Sequence, residues 1–403
     1  MNKSSILKSL FKQNCGADWE KLKTPCYLID EQKLVANAKV LSSIIERTGC
    51  KVLLAQKAFS NYDFYPLLAP YLSGTEASGL YEARLGAEEM AGKEVHVFCA
   101  AYRDDEFTEL LQYADHIVFN SIGQLKKFAK VAREWGKSIG LRINPECSTQ
   151  VDQVIYDPCA PGSRLGVTRG VWDQEMTSEF FSMLEGLHFH TLCEQNSDAL
   201  ETTLKAVEER FGDILPHMQW LNMGGGHHIT KKDYDIERLE KLINYAQDKW
   251  SLCIYLEPGE AVALNAGYLV SQVLDIVKNG NLEIAILDTS AACHMPDVIE
   301  MPYLPPLLNP KASQEEEGHW YRLAGPTCLA GDIIGQYCLV DQLQVGDYIV
   351  FGDMAIYTTC KNNTFNGMPL PNIYKIDLEG KLSCLTDFDY KDFKMRLGSY
   401  RNY

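Results

Sequence analysis

Short β-rich runs alternate with amphipathic stretches along residues 51–259. In stretches such as SIGQLKKFAKVAREWG, apolar residues recur at the spacing of a helix with one buried face. The β-rich runs are KVLLAQKAF (51–59), GTEASG (74–79), VHVFCAA (95–101), HIVFNS (116–121), IGLRINP (139–145), GLHFHTL (186–192), WLNMGGG (220–226) and CIYLEPG (253–259). Eight strands that alternate with helices predict a parallel sheet closed into a (β/α)8 TIM-like barrel.

The pattern changes after residue 262. AGYLVSQVLDIVKNGNLEIAILDTSA, YRLAGPTCLAGDIIGQYCLV and VGDYIVFGDMAIYTTC predict strands and turns with little helical periodicity. The TPCYLID run (24–30) is also strand-like and precedes the barrel. We therefore predict an α/β chain with two domains, a barrel over residues 32–262 and a mostly β domain over residues 1–31 and 263–403.

Acidic residues outnumber basic ones in this chain of 403 residues. It contains 54 Asp plus Glu and 38 Lys plus Arg, for a net charge of -16. This charge disfavours nucleic acid and anionic membranes as partners and favours a small cationic molecule. We see no secretory signal and no apolar run near the ~18 residues of a membrane span. Thirteen cysteines without a C-x-x-C pair predict reduced thiols and a cytoplasmic location.

Residues that can carry chemistry follow several predicted barrel strands, where such a barrel places its functional residues. Lys57 lies near the end of the first run; desolvation there would lower its pKa and free the amine for covalent catalysis, unless the side chain only extends to solvent. Gly224, Gly225 and Gly226 end the seventh run, and their amides can form an anion nest. Glu257 ends the eighth run, where a buried acid needs a cation or a protonated nitrogen.

Histidine and cysteine add further candidates. His188 and His190 lie two apart on one side of the sixth run, a spacing typical of a metal-binding pair, an aromatic platform or simple packing. Cys328 lies in the turn AGPTCLAGD, where it can protonate a carbanion or be an inert small residue. An amine, an anion nest, a flat ring and an acid for a ring nitrogen together describe a pyridoxal phosphate site.

These motifs resemble the pyridoxal-phosphate-dependent decarboxylases with an alanine racemase-like (fold type III) barrel, which include the ornithine and diaminopimelate decarboxylases. The resemblance extends from TPCYLID to TFNGMPLP. Within the family, LEPGEAV, DTSAACHMPDVIEMPY and AGPTCLAGD look most like the carboxynorspermidine and carboxyspermidine decarboxylases. The resemblance implies decarboxylation of an amino acid with an aminopropylamino side chain, which yields norspermidine or spermidine in polyamine biosynthesis.

The resemblance also implies roles for individual residues. Lys57 would bind the cofactor covalently, His190 would stack on its ring and Glu257 would pair with its pyridine nitrogen. Cys328 would come from the neighbouring subunit of a homodimer with shared active sites and would reprotonate the substrate. The positions implied for phosphate binding are Gly224, Gly225, Gly226 and Tyr357. The positions implied for support of the site are Glu76 and Arg142.

Three positions depart from the family pattern. Glu260 stands where relatives commonly carry an arginine that reaches the phosphate, and its charge would repel a phosphate. Cys193 replaces a phosphate-binding serine, and Leu329 replaces the acid that usually follows the catalytic cysteine. These departures argue against plain ornithine or diaminopimelate as the substrate.

The cationic tail of the implied substrate needs acids, and we expect no metal ion. The candidates are Asp332, Asp297 and Glu260, although Asp297 can instead be an exposed loop acid and Glu260 can face backbone donors of its own turn. Alternative functions are decarboxylation of diaminopimelate, ornithine or arginine, a racemase, and a non-catalytic regulator that binds the cofactor. The presence of both Lys57 and Cys328 counts against the regulator.

Overall fold

The structure is a computed structural model that describes residues 3–11, 18–150, 157–311 and 318–398. The chain divides into two compact units, one formed by residues 35–262 and the other by residues 1–34 with 263–403. No helix in the described ranges combines the length and the hydropathy that a membrane span needs.

The elements follow in chain order. The strands are β1 (Cys26–Asp30), β2 (Lys51–Ala55), β3 (Gly74–Ala77), β4 (Glu94–Phe98), β5 (His116–Phe119), β6 (Ser138–Arg142), β7 (Gly186–His188), β8 (Trp220–Asn222), β9 (Cys253–Leu256), β10 (Gly267–Asn279), β11 (Leu282–Leu287), β12 (His319–Ala324), β13 (Ile333–Leu339), β14 (Tyr348–Gly352), β15 (Asn372–Ile376) and β16 (Leu382–Thr386). The α-helices are α1 (Lys3–Leu10), α2 (Glu31–Thr48), α3 (Tyr65–Leu68), α4 (Leu80–Glu89), α5 (Asp104–Leu110), α6 (Ile122–Glu134), α7 (Arg169–Glu175), α8 (Ser178–Phe181), α9 (Ser197–Phe211), α10 (Ile236–Trp250), α11 (Glu260–Ala263), α12 (Ala291–His294), α13 (Asp297–Glu300) and α14 (Tyr390–Met395).

Strands β2 to β9 form a closed barrel in which all neighbouring strands are parallel. The ring closes where Lys51 pairs with Tyr255 and Val52 with Leu256. Strands such as β3 and β7 are buried along their whole length. Burial on both faces explains why the runs are largely apolar and do not alternate with polar residues. The predicted eight-stranded barrel is confirmed.

Several helices between barrel strands begin at polar caps and bury one face. The Ser121 hydroxyl accepts a hydrogen bond from the Gln124 amide at the start of α6, and the Asp235 carboxylate accepts one from the Arg238 amide at the start of α10. Helix α6 buries Ile122, Leu125, Phe128, Ala129 and Ala132. This is the helical spacing that the sequence predicts for the stretch.

The second unit is built on an eight-stranded sheet. Seven of the strands follow the order β13-β12-β11-β10-β1-β15-β16, and the eighth, β14, pairs with β10. Strand β10 is long enough to pair with β14 through its first half and with β11 through its second half. Strand β1 lies between β10, which is antiparallel to it, and β15, which is parallel. The TPCYLID run therefore belongs to this sheet, and its Tyr27 packs in the unit's core with Leu269 and Phe351.

Two histidines stack at the N-terminal end of the barrel strands. The ring centroids of His96 and His116 lie 3.9 Å apart, with 16° between the ring planes. Glu94 accepts a hydrogen bond from the Tyr255 hydroxyl at 3.1 Å, and its Oε2 lies 3.3 Å from Nε2 of His96. Burial, together with the neighbouring His96, lowers the pKa of His116 to about 3. The His116 ring is therefore neutral in the folded protein near neutral pH.

We expect His116→Phe to make the protein less sensitive to acid. The unfolded chain binds a proton on His116 near pH 6.5, whereas the folded chain binds it only near pH 3. Between these values the unfolded state holds more protons, so the free energy of unfolding falls as the pH falls. Urea unfolding at about pH 7.5 and about pH 5 should show that the variant loses at least ~1 kcal/mol less than the wild type on acidification. Parallel pH curves for the two proteins would contradict this assignment.

Candidate active site

Lys57 lies just beyond β2, at the C-terminal mouth of the barrel. Its Nζ is 3.2 Å from Oε2 of Glu76, whose side chain is buried in β3. Burial acts to lower the pKa of Lys57, but the carboxylates of Glu76 and Glu257 outweigh burial and raise it. The predicted lowering of this pKa is therefore wrong, because the sequence did not show that two acids would face the amine. Lys57 must give up a proton before it can act as a nucleophile.

Glu257 is a buried carboxylate with two partners. Its Oε2 lies 3.1 Å from Nε2 of His188, and its Oε1 accepts a hydrogen bond from the Asn222 side-chain amide at 2.6 Å. Burial acts to raise the pKa of Glu257, but His188 and then Lys57 lower it far below the usual range of a carboxyl. The carboxylate is therefore anionic and fixed in one orientation. Both properties suit an acid that keeps a ring nitrogen protonated.

The Phe98 ring and the Arg142 guanidinium stack beside His188, the partner of Glu257. The ring of Phe98, at the end of β4, lies 5.4 Å from the His188 ring with 19° between the planes. The guanidinium carbon of Arg142 lies 4.5 Å from the Phe98 ring centroid. Arg142 also donates a hydrogen bond to the carbonyl oxygen of His190 at 3.0 Å. The structure thus places Arg142 beside His190, as it places Glu76 beside Lys57.

His190 presents a neutral ring at the barrel mouth. Its Nδ1 accepts a hydrogen bond from the Gly225 amide at 2.9 Å, so the ring proton lies on Nε2. Burial, followed by the charges of Lys57 and Arg142, lowers the pKa of His190 well below its usual value. A neutral ring in a fixed orientation suits stacking on a planar cofactor. His188 and His190 have different partners, so the structure does not favour the metal-pair alternative.

The glycine run lies tightly against neighbouring backbone. A side chain on Gly225 would lie 2.3 Å from the carbonyl oxygen of Glu257, and one on Gly226 would lie 2.0 Å from that of Leu192. Gly224 and Gly226 have φ angles of 71° and 77°, a left-handed conformation that favours glycine. In the described part of the chain, the Gly226 amide donates to no acceptor. This close-packed backbone with an unpaired amide fits an anion nest.

Gly226→Ala should destabilise the barrel strongly. The new methyl group would clash with the backbone of Leu192, and alanine would be strained at the φ of 77°. We expect the free energy of unfolding to fall by at least ~2 kcal/mol. Gly170→Ala is the matched control, because a methyl group there meets nothing within 4 Å. Thermal unfolding should separate the two variants; equal melting temperatures would show that the run tolerates a side chain.

In the second unit, Asp332 fixes the turn that carries Cys328. Cys328 is exposed between β12 and β13. Asp332 is 3% exposed, and its carboxylate accepts hydrogen bonds from the hydroxyls of Ser290 at 3.0 Å and Thr327 at 2.6 Å. It also accepts one from the Ala291 amide at 2.8 Å. The contact of Asp332 with a substrate amine therefore stays a prediction, while its contacts in the structure hold the turn.

Asp332→Asn distinguishes these two roles. The amide of asparagine would bring hydrogen-bond donors against the donors of Ser290, Ala291 and Thr327. We expect the free energy of unfolding to fall by about 2 kcal/mol, because buried donors lose their acceptor. Urea unfolding and substrate kinetics should be measured on the same preparation. Wild-type stability with a raised KM would instead support a direct contact between Asp332 and the substrate.

The other candidates already interact with protein groups. Asp297 forms an ion pair with Lys361, and Oε2 of Glu260 lies 2.7 Å from Nε2 of His228. Tyr357 has a φ of 52° in the loop that follows β14. The roles of Asp297 and Glu260 toward a substrate, and of Tyr357 toward a phosphate, stay predictions.

Two polar residues at the barrel mouth were missed in the sequence. Asn222 binds Glu257 through its amide and accepts a hydrogen bond from the Gly224 amide at 2.9 Å. His228 is the partner of Glu260. Asn222 is a polar residue inside an apolar run, and His228 follows the glycine run closely. The sequence signal that could have identified both residues is that they are polar and lie on either side of the glycine run.

The groups at the barrel mouth fit pyridoxal phosphate. Lys57 offers an amine for the aldehyde, and Glu257 offers an anionic carboxylate for the ring nitrogen. His190 offers a neutral ring, and Gly226 an unpaired amide for the phosphate. Each part of the cofactor thus has a chemically suitable partner within one unit of the chain.

Comparisons with known proteins match most of the chain. Residues 26–355 match the family model described as "Pyridoxal-dependent decarboxylase, C-terminal sheet domain". The chain is 43% identical over 388 residues to a carboxynorspermidine/carboxyspermidine decarboxylase of Campylobacter jejuni, covering 94% of this chain and 99% of the relative. It is 39% identical over 378 residues to a carboxyaminopropylagmatine decarboxylase of Synechocystis sp., covering 94% and 96%. The crystal structure of a Campylobacter jejuni carboxynorspermidine decarboxylase complexed with norspermidine matches with a TM-score of 0.85 and 42% identity, covering 93% of this chain and 100% of that one.

Proposed function

The chain belongs to the pyridoxal-dependent decarboxylases, and we propose on that basis that it uses pyridoxal phosphate to decarboxylate carboxynorspermidine, carboxyspermidine or both. It is therefore a carboxy-lyase. The observation that carries the proposal is that one barrel mouth holds Lys57, an anionic Glu257, a neutral His190 and an unpaired Gly226 amide.

The bound cofactor would supply an electron-withdrawing ring that accepts the charge left when carbon dioxide departs. Lys57 would hold it through its amine, and the same amine, when free, is a group that can transfer protons. Glu76 lies against Lys57 and receives or returns its proton. Glu257, fixed by His188 and Asn222, would hold the proton on the ring nitrogen. His190 would stack on the ring.

The substrate assignment rests on the relatives and on charge. Carboxynorspermidine and carboxyspermidine carry protonated nitrogens along their tails, which suits a chain with a net charge of -16. The two differ by one methylene, which is worth only ~1–3 kcal/mol in discrimination. Carboxyaminopropylagmatine is a second candidate, because the chain is 39% identical to a decarboxylase of that substrate.

We propose in addition a homodimer, in which Cys328 of one subunit protonates the substrate carbon in the active site of the other. The exposure of Cys328, on a turn that Asp332 holds in place, supports this assignment. The cytoplasmic location remains a prediction from the cysteine content.

A substrate panel tests the proposed function. The purified protein, saturated with pyridoxal phosphate, is offered carboxynorspermidine, carboxyspermidine, carboxyaminopropylagmatine, diaminopimelate, ornithine and arginine in separate assays. We expect carbon dioxide release with norspermidine or spermidine as the product. Turnover of diaminopimelate equal to that of carboxynorspermidine would overturn the substrate assignment. No carbon dioxide from any of the six would favour the non-catalytic regulator.

A further inference from the structure

A histidine and an acid connect two loops at the barrel mouth. His228 follows the glycine run, and Glu260 is the first residue of α11 in the next loop. Nε2 of His228 lies 2.7 Å from Oε2 of Glu260, and the two side chains are 11% and 13% exposed. A second hydrogen bond joins the same loops, from the Thr230 hydroxyl to the Ala261 carbonyl oxygen at 2.6 Å. The His228–Glu260 pair therefore has a fixed position.

These loops also carry unpaired hydrogen-bond donors. The backbone amides of Gly226 and Glu260 donate to no acceptor within the described ranges. In the same ranges, Nε2 is the only atom of the His228 ring with a partner. Unpaired donors at the mouth of a cleft suit an anionic ligand. A carboxylate oxygen of Glu194 and one of Glu260 lie within 4.8 Å of a His228 ring nitrogen and would repel such a ligand, so an anion nest here needs a positive charge beside them.

His228 supplies that charge. Burial acts to lower the pKa of His228, but Glu260 and then Glu194 outweigh burial and raise it, while Lys231 acts in the opposite direction. An imidazolium ring donates from both nitrogens. The ring therefore satisfies Glu260 through Nε2 and keeps the N–H at Nδ1 as a charged donor.

We propose that His228, positioned by Glu260, binds the phosphate of the cofactor together with the Gly226 amide. This inference rests on the proposed function, because it takes pyridoxal phosphate as the ligand. It makes Glu260 a positioning residue, which holds the His228 ring and its charge without touching the phosphate. The His228–Glu260 pair as a whole is neutral, and its positive member, His228, donates to the phosphate from Nδ1.

The test measures cofactor affinity in place of turnover. Cofactor-free protein is titrated with pyridoxal phosphate and with pyridoxal, which lacks the phosphate, and binding is followed by absorbance. We expect His228→Gln to weaken binding of pyridoxal phosphate by about 10- to 100-fold and to leave binding of pyridoxal unchanged. Lys231→Gln is the matched control, because it removes a cation from the same loop whose side chain is 56% exposed. Its affinity should stay within about fivefold of the wild type.

Glu260→Gln gives a second, independent readout. Without the acid, nothing outweighs the effect of burial, so the pKa of His228 falls and the imidazolium is lost at a lower pH than in the wild type. The loss of affinity for pyridoxal phosphate with rising pH should therefore begin at a lower pH in the variant than in the wild type, and the titration of the phosphate itself is common to both proteins. Wild-type affinity in His228→Gln, or superimposable pH profiles for Glu260→Gln and wild type, would overturn the inference and leave the proposed function intact. A wild type that takes up no pyridoxal phosphate would overturn both.

Discussion

Lys57→Ala should give a folded protein that is colourless after incubation with pyridoxal phosphate and that releases no measurable carbon dioxide. The substitution removes the amine beside Glu76 and Glu257 that can bond to an aldehyde. It also removes a group that can move protons, and such groups contribute about 10²–10⁴-fold to rates. We therefore expect kcat to fall by at least ~10³-fold. Absorbance of the dialysed protein and carbon dioxide release measure the two effects separately.

The control for this variant is Lys126→Ala, on the exposed side of α6. It removes a lysine of the same unit and should keep both the colour and the activity. The Lys57 variant should also lose the ion pair with Glu76, which leaves a buried carboxyl whose pKa burial raises. Retention of the colour after dialysis, together with turnover within tenfold of the wild type, would show that Lys57 is not the cofactor-binding residue.

Glu257→Gln should preserve the fold and the bound cofactor while lowering kcat by about 10²–10³-fold. Glutamine has the shape of glutamate and can keep hydrogen bonds to Asn222 and His188, so the arrangement of the side chains is retained. Only the negative charge is lost, and with it the group that holds a proton on the ring nitrogen. KM should change much less than kcat, because the interaction matters most when charge develops in the ring.

Glu257→Gln should also change the pKa of Lys57, which steady-state kinetics does not measure. Glu257 is one of the two acids that raise the pKa of Lys57, so the amine should lose its proton at a lower pH in Glu257→Gln. The pH dependence of cofactor binding to the cofactor-free protein measures this shift. Glu88→Gln, which removes an exposed acid from α4, should change neither quantity. A wild-type kcat in Glu257→Gln would mean that the ring nitrogen needs no acid here.

The barrel could be predicted from the sequence because its strands and helices have strong, local periodicities. Each of the eight predicted runs overlaps a barrel strand, and residues just beyond the ends of those strands include Lys57, His190 and Glu257. The sheet of the second unit was harder to predict, since its strands pair across long separations in sequence. Strand β1, for example, pairs with β15 through contacts such as Tyr27 with Ile373.

The partners of individual charges could not be predicted, since they depend on which side chains meet across neighbouring strands. No pattern in the sequence indicates that Glu76 and Glu257 both raise the pKa of Lys57. The sequence also did not show that Asp332 would bind three donors of its own unit, or that Glu260 would bind His228. The sequence analysis assigns Asp332 and Glu260 to a substrate because their protein partners lie far away along the chain or belong to another loop.

The most direct test of the account is a competition between two substrates in one vessel. Equal amounts of carboxynorspermidine and diaminopimelate are given to the protein saturated with pyridoxal phosphate, and the initial rates of norspermidine and lysine formation are compared. The ratio of products equals the ratio of kcat/KM values, which defines specificity. We expect norspermidine to form at least ~10²-fold faster than lysine. Lysine formed as fast as norspermidine would contradict it.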